Sequence, residues 1–296
     1  MPSTAANGIT LEYESFGEPS ARPLLLLRGL GTQLIHWDRA LCQQIADAGH
    51  RLVVFDNRDV GLSTHFHDAR VPSMEKLVKA LAAGEIPDVP YSLDAMAGDL
   101  IGLMDALDFD SAHIAGISMG GMIVQQCAIQ YPERVRSMTS IMSSTSEPGL
   151  PGPSPEAQAA LTEAAPSERE AYLDYSVRTG RVFTGDGFPY DAEGRRELAG
   201  RVYDRAFDPA GIARQMAAVV ASGSRAEGLA RLTVPSLVIH GSSDPLIPLA
   251  AGRATADAIP GAKMVVIDGM GHDLPPGAWA TLVEALARHT QRSEAA

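Results

Sequence analysis

Apolar and polar positions alternate at Ile9, Leu11 and Tyr13, the period of a half-buried strand. Beyond Pro23 the pattern changes. Leu24-Leu25-Leu26-Leu27 runs without a polar interruption, as in a strand covered on both faces. A glycine-rich loop, Arg28-Gly29-Leu30-Gly31-Thr32, ends it. Trp37, Ala40, Leu41, Ile45 and Ala48 then recur at helical spacing, and Leu52-Val53-Val54-Phe55 is a second buried strand closed by Asp56-Asn57-Arg58-Asp59-Val60-Gly61. Strand, helix and strand in alternation predict a parallel sheet with helices on both faces.

Residues 63–91 read as an insertion with one helix over 73–83, closed by Pro87 and Pro90. Ser92 caps a stronger helix whose inner face is Leu93, Met96, Ala97, Leu100, Leu103, Met104 and Leu107. A β-rich run follows at 113–117, then a helical pattern, then a strand over 138–142. From residue 146 to 227 apolar strands vanish. Pro148, Pro151, Pro153 and Pro155 stiffen the entry, and four helix openings are legible. These are Ser154-Pro155, Ser167 to Glu170 with capping-box spacing, Asp191, and Asp208-Pro209. The pattern predicts a core of residues 1–145 and 228–296 with a helical cap, 146–227, over the carboxyl edge of the sheet, where such insertions roof the substrate crevice. Strands at 234–240 and 263–267 and helices over 249–259 and 279–289 complete the chain.

Composition narrows the function. Lys and Arg number 24 against 36 Asp and Glu, a formal charge of −12, which disfavours a nucleic-acid partner because phosphate binding needs a basic face. Cys42 and Cys127 are too few for a disulfide framework, and Cys127 reads as a small buried apolar residue. No apolar stretch is long enough to span a bilayer, and the first residues carry no basic region followed by an apolar run, so the cytoplasm is the expected compartment. Oligomeric state leaves no mark.

The chemistry concentrates in Gly116-Ile117-Ser118-Met119-Gly120-Gly121, set between strand and helix. That layout is a nucleophile elbow, with a serine exposed on a strained turn, and the small residues leave room for the turn. A serine hydroxyl is a weak nucleophile without a base. Of eight histidines, His36, His50, His65, His67, His113 and His289 lie on helices, in insertions or near the surface, and His240 ends an apolar strand. His272, in Asp268-Gly269-Met270-Gly271-His272-Asp273, follows a strand on a glycine-flexed loop and is the expected base. Asp244, just beyond a strand and between Ser118 and His272 in chain order, is the expected orienting acid, with Asp268, Asp273 and Glu147 as rivals. The oxyanion needs two preorganised N–H donors, assigned by position to Met119 and Leu30. His65-Phe66-His67-Asp68 offers two histidines but no matching third ligand, so it reads as a solvated loop rather than a metal site.

Gly-Ile-Ser-Met-Gly-Gly, Asp-Asn-Arg-Asp-Val-Gly-Leu-Ser-Thr and Asp-Gly-Met-Gly-His-Asp-Leu-Pro together resemble the α/β-hydrolase superfamily. Within it the chain is similar to the bacterial lipase/esterase group that includes LipG-type enzymes, and more distantly to aclacinomycin methylesterase. The resemblance implies a Ser118–His272–Asp244 triad, no cofactor or metal, and hydrolysis of a small-molecule carboxylic ester. Thioester, lactone or carbon–carbon bond hydrolysis and perhydrolysis are alternatives for the same triad. A ligand-binding protein that keeps the fold without catalysis is a further one. One residue departs from the pattern: many members have histidine before the oxyanion-loop glycine, and this chain has Arg28.

Overall fold

The computed structural model describes residues 1–294. Its strands are β1 (Ser3–Ala6), β2 (Ile9–Phe16), β3 (Arg22–Leu27), β4 (His50–Phe55), β5 (Ala112–Ile117), β6 (Val135–Ile141), β7 (Ser236–Gly241) and β8 (Lys263–Ile267). They form one sheet in the order β1-β2-β4-β3-β5-β6-β7-β8. From β4 to β8 every pairing is parallel, while β1 and β2 add an antiparallel edge. The leucine run explains itself here. Leu24 and Leu26 pack with Leu41, Cys42 and Ile45 of helix α1 (Arg39–Asp47) and Leu282 and Leu286 of α11 (Trp279–Glu294) on one face. Leu25 and Leu27 turn to the other face, against α3 (Leu93–Ala106) and α4 (Met119–Gln130). Each of the four is essentially sealed from water.

Strand order locates the site. After β3 the chain winds to one side, to β4; after β5 it winds to the other, through β6, β7 and β8. The reversal between β3 and β5 opens a crevice at their carboxyl ends, where the Arg28–Thr32 loop and Ser118 lie.

Between β6 and β7 stand α5 (Pro155–Thr162), α6 (Arg169–Phe183), α7 (Ala192–Arg205), α8 (Pro209–Ala221) and the short α9 (Ala226–Leu229), which the sequence pattern does not reveal. Ser154, Asp191 and Asp208 cap as read, accepting from the amides of Ala157, Gly194 and Gly211. Helix α6 differs: its cap is Glu168, which accepts from the Glu170 and Ala171 amides, not Ser167. Helix α1 starts at Arg39 behind an Asp38 cap, so Trp37 lies outside it. The aromatic residues of the insert serve mainly as its core. Tyr203 and Phe207 pack at 4.8 Å, with Tyr172 5.4 Å from each.

Helix α2 (Met74–Ala82), in the insertion after β4, packs on α8. The strand-end run Asp56-Asn57-Arg58-Asp59, read from sequence only as a turn, ties α7 and α8 of the insert to the core. Asp59 accepts from Arg214 of α8 through both carboxylate oxygens at 2.8 Å, and from the Tyr91 hydroxyl at 2.6 Å. Asp56 pairs with Arg205 of α7 at 2.7 Å, and Arg58 makes a two-bond pair with Asp99 of α3. Burial raises the Asp59 carboxyl, but the bonds from Arg214, the Phe66 amide and Tyr91 outweigh it and hold the group below its ordinary value. A carboxyl lowered on folding contributes stability above the ordinary carboxylate range and loses it as pH falls through its folded value. Removing one member strands a buried charge, so Arg214→Met is expected to cost about 3–5 kcal/mol in urea unfolding, with a shallower acid limb in stability against pH than the parent.

Candidate active site

The elbow is built by close backbone approach. Ser118 sits at φ +56°, ψ −119° between β5 and α4, a conformation that side-chain-bearing residues rarely adopt. A Cβ on Gly116 would lie 2.1 Å from the Gly120 carbonyl oxygen, and one on Gly120 would lie 2.5 Å from that of Leu27. Ser118 is fixed through its backbone: its N–H donates to the Ile141 carbonyl at 3.0 Å, and its carbonyl accepts from the Met122 amide and from Ser143 Oγ at 2.8 Å. The β3 loop passes directly beside it, since a Cβ on Gly29 would be 3.1 Å from Ser118 Cβ. Met119 opens α4, where the first amides have no intrahelical partner. Leu30 stands on the facing loop, held by Gln215 of α8, whose Oε1 accepts from the Gly31 amide at 2.8 Å and whose Nε2 donates to the Arg58 carbonyl at 2.7 Å.

At the far side of the crevice, Asp244 follows β7 and His272 follows β8. His272 Nδ1 donates to Asp244 Oδ2 at 2.7 Å, and the other carboxylate oxygen accepts the Leu246 and Ile247 amides at 2.9 Å. The Asp244 side chain is inaccessible to water and that of His272 retains 9% of its surface, so one ring edge faces the crevice. No bond joins Ser118 Oγ to His272 among the described residues, although unliganded sites commonly hold this contact long. Of the rival acids, Asp268 accepts from Ser242 Oγ, while Asp273 keeps a buried Oδ1 without a partner among the described residues. His240 lies beside Asp244, with Nε2 bonded to the Ile247 carbonyl at 2.8 Å. Burial lowers its pKa and keeps it neutral.

The histidine loop is gripped by the insert. Phe183 accepts from the His272 amide at 2.8 Å, and Gly187 donates to the Gly269 carbonyl at 2.9 Å. Gly271 lies so near Gly185 that a Cβ would be 2.2 Å from its nitrogen.

Three expectations need correction. His50 and His113 are fully buried, not near the surface, because each lies on a central strand. His50 bonds the Ile45 carbonyl and Thr290, His113 bonds Ser137, and burial pushes His113 down to about 3. The 65–67 segment is not a solvated loop throughout. His65 is tied to Asp208 at 2.7 Å and the Gly61 carbonyl at 3.0 Å, stacked on exposed His67. Asp208, distant in sequence, supplies a third potential ligand within 4.8 Å of the two histidines, although Arg214 also touches it at 3.4 Å.

Residues 22–275 match the model of the alpha/beta hydrolase fold. The chain belongs to the α/β-hydrolase family. This α/β-hydrolase is 30% identical to rhodomycin D methylesterase DauP of a Streptomyces species, over 96% of the chain and 95% of that protein. It is 28% identical to 3-oxoadipate enol-lactonase 2 of Acinetobacter baylyi, over 96% and 95%. The solved meta-cleavage product hydrolase of Pseudomonas fluorescens superposes at a TM-score of 0.76, covering 99% of this chain and 98% of that one at 20% identity. Replacing Gly271 by alanine drives a Cβ into the 183–187 segment. Gly271→Ala is expected to lower kcat at least tenfold with the parental far-ultraviolet circular dichroism retained.

Proposed function

We propose that this hydrolase cleaves carboxylic esters through an acyl-enzyme, with Ser118 as nucleophile, His272 as base and Asp244 as its orienting acid. The observation that carries the reading is the left-handed backbone of Ser118. A non-glycine residue held in that region is backbone strain, which is characteristically found at functional sites, and here it lies at a strand-to-helix junction.

The Ser118 hydroxyl attacks the acyl carbon as its proton passes to His272 Nε2. The negative oxygen of the tetrahedral intermediate receives the Leu30 and Met119 amides. His272 returns the proton to the departing alcohol, leaving the acyl group on Ser118. Water then attacks that ester, giving its proton to His272, and collapse releases the acid and restores the hydroxyl. Asp244 holds Nδ1–H and stabilises the imidazolium throughout without taking the proton. The helices of residues 146–227 act as a cap that shapes the crevice. The two free, buried cysteines accord with a cytoplasmic enzyme.

Lactone hydrolysis is the second reading, favoured by the near full-length similarity to an enol-lactonase. It uses the same steps, with the alcohol remaining tethered to the acyl group. Ser118→Ala is expected to abolish both ester turnover and labelling by a fluorophosphonate probe, and Asp244→Asn to lower kcat by about 10⁴-fold. Undiminished labelling of Ser118→Ala refutes the assignment.

A further inference from the structure

Arg28, the residue that departs from the family pattern, holds a buried guanidinium nitrogen with no acceptor among the described residues. It lies deep in the structure, yet keeps some accessible surface. Its guanidinium stacks on Trp37 at 4.7 Å. Its Nε is buried without an acceptor, and so is the Trp37 indole nitrogen beneath it. Buried donors are nearly always paired, and here two unpaired ones stand together.

No carboxylate among the described residues reaches Arg28. Asp38 instead caps α1, and Glu14 pairs with Arg39. A second guanidinium acts on Arg28 through its charge. Arg195 of α7 reaches in from the insert, where its Nε donates to Ser176 Oγ at 3.0 Å and its terminal nitrogens bond nothing among the described residues. Burial, with the Arg195 charge added, lowers Arg28 to about 10, still protonated at neutral pH. His36 is not a counter-ion: burial first, then the charges of Arg28 and Arg195, hold it well below its ordinary value and neutral. The protein as a whole carries −12, so a local excess of guanidinium inside it is not a by-product of a basic composition.

We infer that Arg28, supported by Arg195, receives a carboxylate of the substrate, so that the preferred ester carries a free carboxylate besides its scissile carbonyl. Gly29 follows Arg28 directly and abuts Ser118, so the stretch of backbone that carries the guanidinium runs beside the serine. A planar guanidinium offers a carboxylate two parallel N–H bonds, and the enclosed setting strengthens that attraction relative to open water. This assignment rests on the ester-hydrolase reading for its kinetics, but its binding arm does not.

The kinetic test follows acid release from monomethyl succinate, glutarate and adipate against methyl butyrate, pentanoate and hexanoate. At least one half-ester is expected to exceed its neutral partner about tenfold in kcat/KM. Arg28→Met is expected to collapse that ratio, Arg195→Gln to reduce it, and Arg28→Lys to retain part of it. Taking the ratio cancels any general loss of activity. If Arg28→Met does not fold, Arg195→Gln and the ratio at low and high salt decide. The binding arm titrates glutarate and pentanamide into Ser118→Ala by calorimetry. Glutarate is expected to bind at least tenfold more tightly, and to lose that advantage when Arg28→Met or Arg195→Gln is added. Ratios below threefold at every chain length, ratios that neither substitution nor salt changes, or a Ser118→Ala protein that does not distinguish glutarate from pentanamide overturn the inference. Absence of all ester turnover with glutarate binding intact refutes the hydrolase reading and leaves the anion site standing.

Discussion

The constraint on which the structure depends is steric: two loops, one after β3 and one after β5, must run side by side with no side chain between them. Gly120 brings its backbone to within a distance of Leu27 and Arg28 that a methyl group would forbid, Gly116 does the same toward Gly120 inside the turn, and Gly29 leaves only a tight fit beside Ser118. The result is a serine in an unfavourable backbone state, held by hydrogen bonds to β6 and to Ser143. Strain of this kind costs of order 1–3 kcal/mol, and it is tolerated because both loops spring from neighbouring central strands of the sheet. The site is therefore a property of the core. Its bend at Ser118 is packed against the end of β3.

A second level of organisation is ionic and lies at the edge of that core. Asp56, Arg58 and Asp59 end β4, and each meets its partner on a different element: Arg205 on α7, Asp99 on α3, Arg214 on α8. Buried pairs of this type are geometric locks more than sources of net stability. Here they settle where the insert sits, and Gln33 and Gln215 extend the same join to the β3 loop. Gln33 donates to the Val202 and Ala206 carbonyls at 2.9 and 2.8 Å.

Much of this was legible in the linear sequence, and the reasons differ by element. The leucine run, the helix face from Leu93 to Leu107 and the elbow glycines are local patterns whose meaning is set by periodicity or by a tight turn. Asp244 and His272 were legible because strand ends in a parallel sheet fall on one edge, so chain order alone brings them together. The ion pairs of the 56–59 run were not, because each partner lies tens to more than a hundred residues away and a charge in a turn reads as solvated. The same blindness hid Asp208 beside His65 and the full burial of His50 and His113. Strand β1 and helix α9 escaped notice because four residues carry no usable period. The Glu168 cap escaped because Ser167 satisfied the same spacing one residue earlier.

The contact between the insert and the histidine loop has a mechanical consequence. Gly185 and Gly187 touch Gly269 and Gly271 through backbone alone, and Phe183 holds the His272 amide. With no flexible side chains to absorb displacement, the segment after α6 and the imidazole form one rigid part. Any outward swing of that stretch of the insert carries the His272 loop with it. A passage that leaves the His272–Asp244 bond undisturbed therefore lies elsewhere on the rim.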